Sequence, residues 1–304
     1  MNEYPLLRFL HTFEALGSET RLKIVSLLAK RPMHITALAD VLGTSLPTIT
    51  GHIHRLEAAG LVKSSAAPGR HGSQKVCELA IDNICILFRS DDQQSECYRV
   101  EMPVGHYVDW DVKPTCGLAT VDRFIGHFDD PRFFADPSRV QAGMIWFASG
   151  YVQYRFPNFL LPSQEPVALE FTAELGSEAP THNNDWPSDI DFTINALDVG
   201  MWTSPGDFGG RRGVYTPKWI SEIMNQYGLL KVLRIDSQGT SMDGMPISSV
   251  KISDLMLDSR SDITLKIESP ETVEHAGGVT IFGKDFGNYG RDLEMRLFYK
   301  SRRI

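Results

Sequence analysis

The hydrophobic pattern of this 304-residue chain changes its period near residue 90, and this change constrains the fold more than any other feature. Before that point apolar residues recur about every 3.6 positions, which is typical of amphipathic helices. Beyond it they alternate with polar residues, which is typical of strands with one buried face. The length favours two domains. The pattern therefore predicts a helical N-terminal domain followed by a β-rich domain.

The charge divides at the same place. Residues 1–90 hold ten Lys and Arg against seven Asp and Glu, a net charge of +3, whereas residues 91–304 hold twenty against thirty-one, a net charge of −11. All five tryptophans lie in the second part. Opposite charges predict different partners. We predict domains at residues 1–88 and 97–304, joined by a polar linker at residues 89–96.

The first domain has clear helix signals. Ser18 is a good N-cap for a first helix that ends near Pro32, a second helix is expected at about residues 35–42, and a third runs from about Pro47 to Gly60. A short helix, a tight turn with glycine and another helix form a helix-turn-helix. The expected buried positions are Leu22, Val25, Leu28 and Ala29 in the first helix, Leu38, Val41 and Leu42 in the second, and Ile49, Ile53 and Leu56 in the third.

The other face of the third helix carries hydrogen-bonding and cationic side chains, and a hairpin with a basic tip follows, built from LVKSSA and QKVCELAI. Such groups contact base edges and phosphates in a major groove. A polar helix face can also be merely solvated, but the full succession of elements favours DNA binding. The predicted DNA-contacting residues are Ser45, Thr48, Thr50, Gly51, His52, Arg55, Lys63, Arg70, His71 and Lys75.

The segments LGSETRLKIVSLLA and ITALADVLGTSLPTITGHIHRLEAAGLV resemble the winged-helix domain of ArsR-type bacterial repressors over roughly residues 10–82. The resemblance implies a homodimer that binds double-stranded operator DNA with its third helix in the major groove. It does not imply metal sensing, because HITALADV lacks the paired cysteines and IDNICILF lacks the Asp/His pairs of the metal-sensing members. No metal site and no cofactor is expected. The expected dimer surface is the apolar stripe of Leu6, Leu7, Leu10 and Phe13.

The second domain reads as strands separated by turn residues, which predicts an antiparallel β-sandwich of the jelly-roll type. One helix is expected to interrupt it, because Thr216 and Pro217 form an N-cap and first turn before KWISEIMNQY, and Gly228 follows. The candidate strands are CYRVEMPV, GMIWFASGYVQYRF, VALEFTAEL, IDFTINALDVGMW, LLKVLRID, SVKISDLML, ITLKIES, GGVTIFG and LEMRLFY.

Several loops of this domain place aromatic rings beside Asp and Arg. A sugar stacks its C–H face on a ring and hydrogen-bonds its hydroxyls to planar side chains. The segment MWTSPGDFGGRRG, residues 201–213, is therefore expected to form one wall of an effector site; alternatively it is a structural loop with Trp202 and Trp219 in the core. The predicted effector-binding residues are Asp109, Trp110, Asp111, Trp186, Trp202, Asp207, Arg211 and Tyr289.

Two marks in this half, WTSPGDFGGRRG and IFGKDFGNYGRD, more loosely resemble β-sandwich sensor domains fused to ArsR-like repressors among bacterial sugar-utilisation genes. That resemblance implies a carbohydrate effector. The sequence thus predicts a bacterial one-component transcription regulator, a repressor, that binds operator DNA as a homodimer and responds to a small polar effector. No apolar run reaches membrane-spanning length and the four cysteines form no CxxC pair, so a cytoplasmic location is expected.

Two alternatives remain open. Jelly rolls host glycosidases that use two carboxylates, and Asp109/Asp111 or Asp189/Asp191 could supply such a pair. The chain contains no G-x-S-x-G, H-E-x-x-H or phosphate-loop motif, so no catalytic residue is assigned and no enzyme activity is expected. The other alternative is a DNA-binding protein whose sandwich only dimerises.

Overall fold

The computed structural model describes residues 9–29, 31–69, 72–81, 84 and 96–301. The chain divides into two units, Met1–Ile86 and Leu87–Ile304. The predicted linker at residues 89–96 lies outside the described residues except for Glu96, as do Arg70, His71, Leu6 and Leu7, so the predictions for them stay predictions. In the described part of the chain, no helix is long and apolar enough to span a bilayer.

The first unit is a winged helix-turn-helix, as the sequence predicts. Its helices are accompanied by a three-stranded antiparallel sheet with the order β1-β3-β2, in which β1 lies between α2 and α3 and the hairpin of β2 and β3 follows α4. Its described elements are α1 (Leu10–Leu16), α2 (Glu19–Leu28), β1 (Met33–His34), α3 (Ile35–Leu42), α4 (Leu46–Ala58), β2 (Val62–Gly69) and β3 (Gly72–Leu79).

The turn between α3 and α4 follows from its glycine. Gly43 adopts a left-handed conformation, φ +60°, which ends α3 at little cost because glycine has no Cβ. Pro47 lies in the first turn of α4, where its missing N–H is not needed. The predicted inner stripe of α4 is confirmed, since Ile49, Ile53 and Leu56 are fully buried.

The predicted inner faces of α2 and α3 are partly wrong. Leu22 is 48% exposed and Val41 is 61% exposed, whereas Ile24 is fully buried. The reason in α2 is Arg21, which is buried and donates through Nε to the Ala15 carbonyl and through Nη2 to that of Glu14. Because Arg21 binds the end of α1 in this way, α2 turns the face with Arg21 and Ile24 inward and leaves Leu22 exposed.

The second unit is all-β in its regular structure, with antiparallel pairing throughout, as predicted. Its strands are β4 (Glu96–Met102), β5 (Asp109–Ala119), β6 (Met144–Phe156), β7 (Gln164–Gly176), β8 (Ser188–Ile194), β9 (Leu197–Ser204), β10 (Leu229–Ile235), β11 (Thr240–Met242), β12 (Met245–Ser248), β13 (Ile263–Ser269), β14 (Val279–Phe282) and β15 (Leu293–Ser301).

The sheet follows the order β12-β11-β10-β7-β14-β6-β13-β8-β9, with β15 and β4 added beside β7 and with β5 added beside β6. The short strand β14 joins the two long strands β6 and β7. The ends of the path approach each other, because Ile247 of β12 lies 3.1 Å from where a Cβ on Gly200 of β9 would stand. The sheet is therefore nearly closed around a core that includes Tyr107, Tyr154 and Phe134.

Three predicted elements of this unit are wrong. The strand expected over residues 190–202 is a hairpin of β8 and β9 that turns at Asn195 and Ala196. The strand expected over residues 249–257 is instead a 3₁₀ turn, Ile252–Leu255, which buries both of its end residues at a spacing of three. The helix expected after Pro217 is absent from the structure, which describes this segment in full as turns and bends.

Candidate functional site

The outer face of α4 is the strongest candidate for a DNA contact. Thr48, Gly51 and Arg55 are exposed on the side opposite the buried stripe, and nothing lies within 4 Å of where a Cβ on Gly51 would stand. Ser45, just before the helix, is also exposed, and its hydroxyl lies 2.8 Å from that of Thr48. The helix therefore presents two hydroxyls, a bare backbone patch and a guanidinium on one surface.

Thr50 and His52, also predicted to bind DNA, lie at the flanks of this face. The Thr50 hydroxyl donates to the Leu46 carbonyl at 2.8 Å, so its hydrogen is used within the helix. His52 is half-buried, and its pKa is lowered first by burial and then by the charges of Arg21 and Arg55. The imidazole of His52 is thus mainly neutral near pH 7.

Sequence reasoning missed His54, which is exposed on the same side of α4 as Gly51. Its signal was available, because positions 47, 51, 54 and 58 follow the helical spacing opposite Ile49, Ile53 and Leu56. Burial raises the pKa of the nearby Glu57 carboxyl, but its hydrogen bonds with Ser64 and Lys75, with a smaller contribution from the charge of His54, lower that pKa overall. His54 adds a further hydrogen-bonding group to the outer face of α4.

The two lysines at the base of the hairpin are engaged within the unit. Lys63 forms an ion pair with Glu78 at 3.4 Å, and the less exposed Lys75 forms one with Glu57 at 2.9 Å. The second pair ties β3 to α4 and thereby fixes where the hairpin leaves the helix. Arg70 and His71, at the tip, are outside the described residues.

In the second unit, the predicted effector-binding residues have different surroundings. Asp109 and Asp111 are exposed on β5, while Trp110 between them packs on the core with its ring edge-on to Tyr107, 5.5 Å between centroids. The Asp109 carboxylate accepts from the Tyr151 hydroxyl at 3.1 Å. The two aspartates and the tryptophan between them thus lie on opposite faces of β5.

Trp202 and Arg211, from the segment predicted to form a wall of the site, are each in contact with a neighbour. Trp202 packs partly on the core, and the Lys231 ammonium lies 4.5 Å from its ring centroid. Arg211 is exposed, with its guanidinium 5.1 Å from the ring centroid of Tyr227. One face of the Trp202 ring thus already holds a cation.

Asp207 and Trp186 lie close together, because their loops are joined. The backbones of Asn183 and Asp207 pair, and the Trp186 amide donates to the Pro205 carbonyl at 3.2 Å. Asp207 is only 1% exposed; its Oδ2 accepts from the Ala179 amide at 2.9 Å, while its Oδ1 has no hydrogen-bond partner among the described residues. Its carboxyl does not face solvent.

Asp207 has a second buried carboxyl, Glu178, as a neighbour. Burial raises the pKa of Asp207 to about 8, and the nearby Glu178 adds to the shift. Burial likewise raises the pKa of Glu178 to about 7, although that carboxylate accepts from Thr115 at 3.0 Å and from Asn225 at 2.8 Å. This carboxyl pair holds loops together and lies inside the fold.

The segment 205–228 is held by side chains because it lacks regular structure. The Thr216 hydroxyl donates to the Gln226 carbonyl at 2.6 Å, and the Arg212 guanidinium donates to the carbonyls of Pro217 and Ile220. Glu174, which is 1% exposed, accepts from the backbone amides of Gly228, Asn288 and Tyr289 at 2.8–3.1 Å. These side chains satisfy backbone groups that a helix would otherwise satisfy by its own hydrogen bonds.

The last predicted effector residue, Tyr289, lines a cleft of about 410 Å³ at the ends of β4 and β15. Three cations and three carboxylates share this cleft with it: Arg99, Lys284, Arg291, Glu101, Asp292 and Glu294. Of these, Arg99 donates to Glu294 at 2.7 Å and to Glu101 at 2.8 Å. The sequence pattern pointed to the segment of Lys284 and Tyr289 but not to its partners Arg99, Glu101 and Glu294, which β4 and β15 bring to it.

The carboxylate pairs of the enzyme alternative have different surroundings. Asp189 is buried and accepts from the Thr203 hydroxyl at 2.6 Å and from the His275 amide at 3.0 Å, and these bonds lower its pKa although burial opposes them. The pKa of Asp191 is raised, first by burial and then by the charges of Asp198 and Glu268. Asp189 thus has a structural hydrogen-bonding role in joining β8 and β9 to residue 275.

Comparison with known proteins agrees with the geometry of the first unit. Residues 16–65 match the family model of a helix-turn-helix domain. The chain therefore contains a helix-turn-helix domain, the DNA-binding element of many transcription regulators. No curated protein matches the chain.

Three solved structures are similar to parts of the chain. An ArsR family transcriptional regulator is 29% identical, over 23% of this chain and 71% of that one, with a TM-score of 0.21. The homodimeric winged helix-turn-helix DNA-binding domain of a possible ArsR-family regulator from Mycobacterium bovis is 27% identical, over 25% and 68%, with a TM-score of 0.23. Carbohydrate-binding module CBM36, solved with calcium and xylotriose, is 12% identical, over 66% and 98%, with a TM-score of 0.28. Because these TM-scores are low, no property of these three proteins is transferred to this chain.

Proposed function

We propose that this chain is a one-component transcription regulator in which α4 reads operator DNA and the β-domain binds a small polar effector. The observation that carries the proposal is the outer face of α4, which exposes Thr48, Gly51, His54 and Arg55 while the opposite stripe is fully buried. A helix with this arrangement fits a major groove, whose width admits one helix.

Each group on this face has a distinct contact in the proposal. The Arg55 guanidinium donates in a fork to guanine, or to a phosphate. Because the Ser45 and Thr48 hydroxyls are hydrogen-bonded to each other, one of them donates within the pair and the other donates to a phosphate oxygen near the start of the helix. Gly51 lets the helix backbone approach the groove, because nothing stands above it. The net charge of +3 over residues 1–90 favours binding to a polyanion.

The regulator acts as a homodimeric repressor in this proposal. Helix-turn-helix proteins bind two half-sites about one helical turn apart, so two copies of α4 are needed for one operator. The effector, a sugar or oligosaccharide, acts by binding the DNA-competent and DNA-incompetent arrangements with different affinity. Alternating polar and aromatic side chains in the loops of the β-domain support a ligand of this polarity.

The test begins with selection of a binding sequence from a random duplex pool by the full-length chain. An enriched sequence with two half-sites is expected, and the double variant Thr48→Ala/Arg55→Ala should enrich none. Lys23→Ala, on the exposed side of α2, is the matched control and should enrich the same sequence. If the wild-type chain enriches no sequence at low salt, or the control loses it as well, α4 is not the reading helix.

A further inference from the structure

We infer that the ligand site of the β-domain is the cleft between β4, β15 and the loop of residues 284–292, and that its ligand is a neutral polyhydroxylated molecule the size of a mono- or disaccharide. This inference rests on the proposed function for its regulatory meaning, and on the geometry of the cleft for everything else. Its volume, about 410 Å³, lies in the range of small-molecule sites.

The cleft is built on buried anchors. Glu294, whose side chain is 6% exposed, accepts from Arg99 at 2.7 Å and from Arg291 at 3.1 Å and so fixes two guanidinium groups at the rim. The buried Glu174 carboxylate accepts a hydrogen bond from the backbone amide of Tyr289. Side chains and loop are thus positioned before any ligand arrives, which lowers the entropy cost of binding.

The charges of the cleft are balanced at short range. Arg99 lies against Glu101 and Glu294, and Arg291 lies against Glu294. Burial raises the pKa of Asp292, and the backbone amide and the charge of nearby Lys284 oppose that shift. Because both arginines form ion pairs and Lys284 has the Asp292 carboxyl nearby, the cleft has no separate positive or negative pole. A ligand with a net charge would lose its hydration there for little Coulomb gain.

Hydroxyl groups match such a lining. Each hydroxyl donates one hydrogen bond and accepts two, so one sugar can donate to Glu101 and accept from Lys284 or Arg291 at the same time. The Lys284 ammonium forms no ion pair within 4 Å among the residues that the structure describes, so in this proposal its hydrogens bind the ligand. Leu230 and the Tyr289 ring supply the apolar contact for the C–H face.

The test compares neutral with charged probes on the full-length chain by isothermal titration calorimetry. The neutral probes are glucose, xylose, maltose, cellobiose and sucrose, and the charged probes are glucuronate, glucosamine and glutamate. At least one neutral probe should bind, and Lys284→Ala should weaken it about tenfold, the loss of one charge-assisted hydrogen bond. Lys218→Ala, an exposed lysine of the segment 205–228, is the matched control and should bind as the wild type does.

A second variant tests the chemical class. Glu101→Gln removes one negative charge from an exposed side chain, so it should weaken the neutral sugar several-fold and improve the binding of glucuronate. A wild-type preference for a charged probe, no binding of any neutral probe, or equal affinity in wild type and Lys284→Ala would each overturn the inference. Operator binding is measured in parallel: if it is normal while no sugar binds, only the cleft fails, and if sugar binds while no operator is bound, only the proposed regulator fails.

Discussion

Helix α4 and the segment 205–228 both carry many polar side chains, yet they present them in opposite ways. On α4, Thr48 and Arg55 are exposed, whereas in the segment Asp207 is buried and the Thr216 hydroxyl binds the Gln226 carbonyl. The difference lies in the backbone. A helix satisfies its own N–H and C=O groups, so its outer side chains remain available to a partner.

An irregular segment has no such internal supply of hydrogen bonds. Its buried amides and carbonyls need side-chain partners, and the polar residues of the segment and its neighbours provide them. Residues that read as ligand-binding in the sequence, such as Asp207, are therefore partly used to hold the loop itself. Four predictions test this contrast, from the largest expected effect to the smallest.

The largest effect is expected for Glu174→Ala. Because three backbone amides of the loops at 228 and 288–289 lose their buried acceptor, the free energy of unfolding of the β-domain should fall by about 3–5 kcal/mol. Urea unfolding followed by tryptophan fluorescence measures it, since all five tryptophans lie after residue 90. Glu165→Ala on the same strand, which removes only a surface pair with Lys300, is the control, and an equal loss in both would contradict this role of Glu174.

Asp207→Asn should make the β-domain less sensitive to alkaline pH. The pKa of Asp207 is raised by burial to about 8, so its stabilising contribution is present at low pH and is lost as pH rises from about 4 through 8. We compare the free energy of unfolding of the variant with that of the wild type at each pH. This difference should favour the variant by about 2–4 kcal/mol more at pH 9 than at pH 5. Exposed Asp111→Asn should show no such gain; a pH-independent difference for Asp207→Asn would refute the assignment.

Arg55→Ala should weaken operator binding by about 1–3 kcal/mol while leaving the melting temperature unchanged, because its side chain is exposed on the outer face of α4. Fluorescence anisotropy with the selected duplex and differential scanning calorimetry on the same preparation measure the two quantities. A lower melting temperature without a change in affinity would assign Arg55 a structural role, as for the polar residues of the segment 205–228.

The smallest effect is expected for Arg211→Ala. Its guanidinium lies over the Tyr227 ring at the surface, so the free energy of unfolding should fall by only about 0.5–1 kcal/mol and operator affinity should not change. Thermal unfolding and sugar titration of the same variant complete the comparison. A tenfold loss of sugar affinity at normal stability would instead support Arg211 as part of the effector site, as the sequence predicts.

The helix-turn-helix could be predicted because its signals are local. Gly43, Pro47 and the stripe Ile49, Ile53 and Leu56 each constrain their own neighbourhood, and the structure agrees with all of them. The inner face of α2 could not be predicted, since it depends on Arg21 reaching the carbonyls at the end of α1. A hydrophobic pattern assigns buried positions only to apolar residues, so it cannot predict that Arg21 is buried.

The candidate ligand site was less accessible to sequence reasoning. Arg99 lies almost two hundred residues before Glu294 in the chain, and the antiparallel pairing of β4 with β15 brings the two together. The helix predicted after Pro217 is absent although its cap signals are present. Tertiary contacts hold this segment instead: the ring centroids of Trp219 and Phe124 are 4.7 Å apart, and the Trp219 Nε1 donates to the Val121 carbonyl. Local propensity does not include such contacts.

The neutral imidazole of His52 has a consequence for how operator affinity responds to salt. Each phosphate neutralised by a protein cation releases condensed counterions, which steepens the fall of log affinity with log salt by about 0.9. The pKa of His52 is lowered by burial and by Arg21 and Arg55, so in its neutral form this side chain neutralises no phosphate. A contact made by His52 in the proposed complex would therefore add affinity that persists as the ionic strength rises, whereas the share contributed by Arg55 to a phosphate would decline.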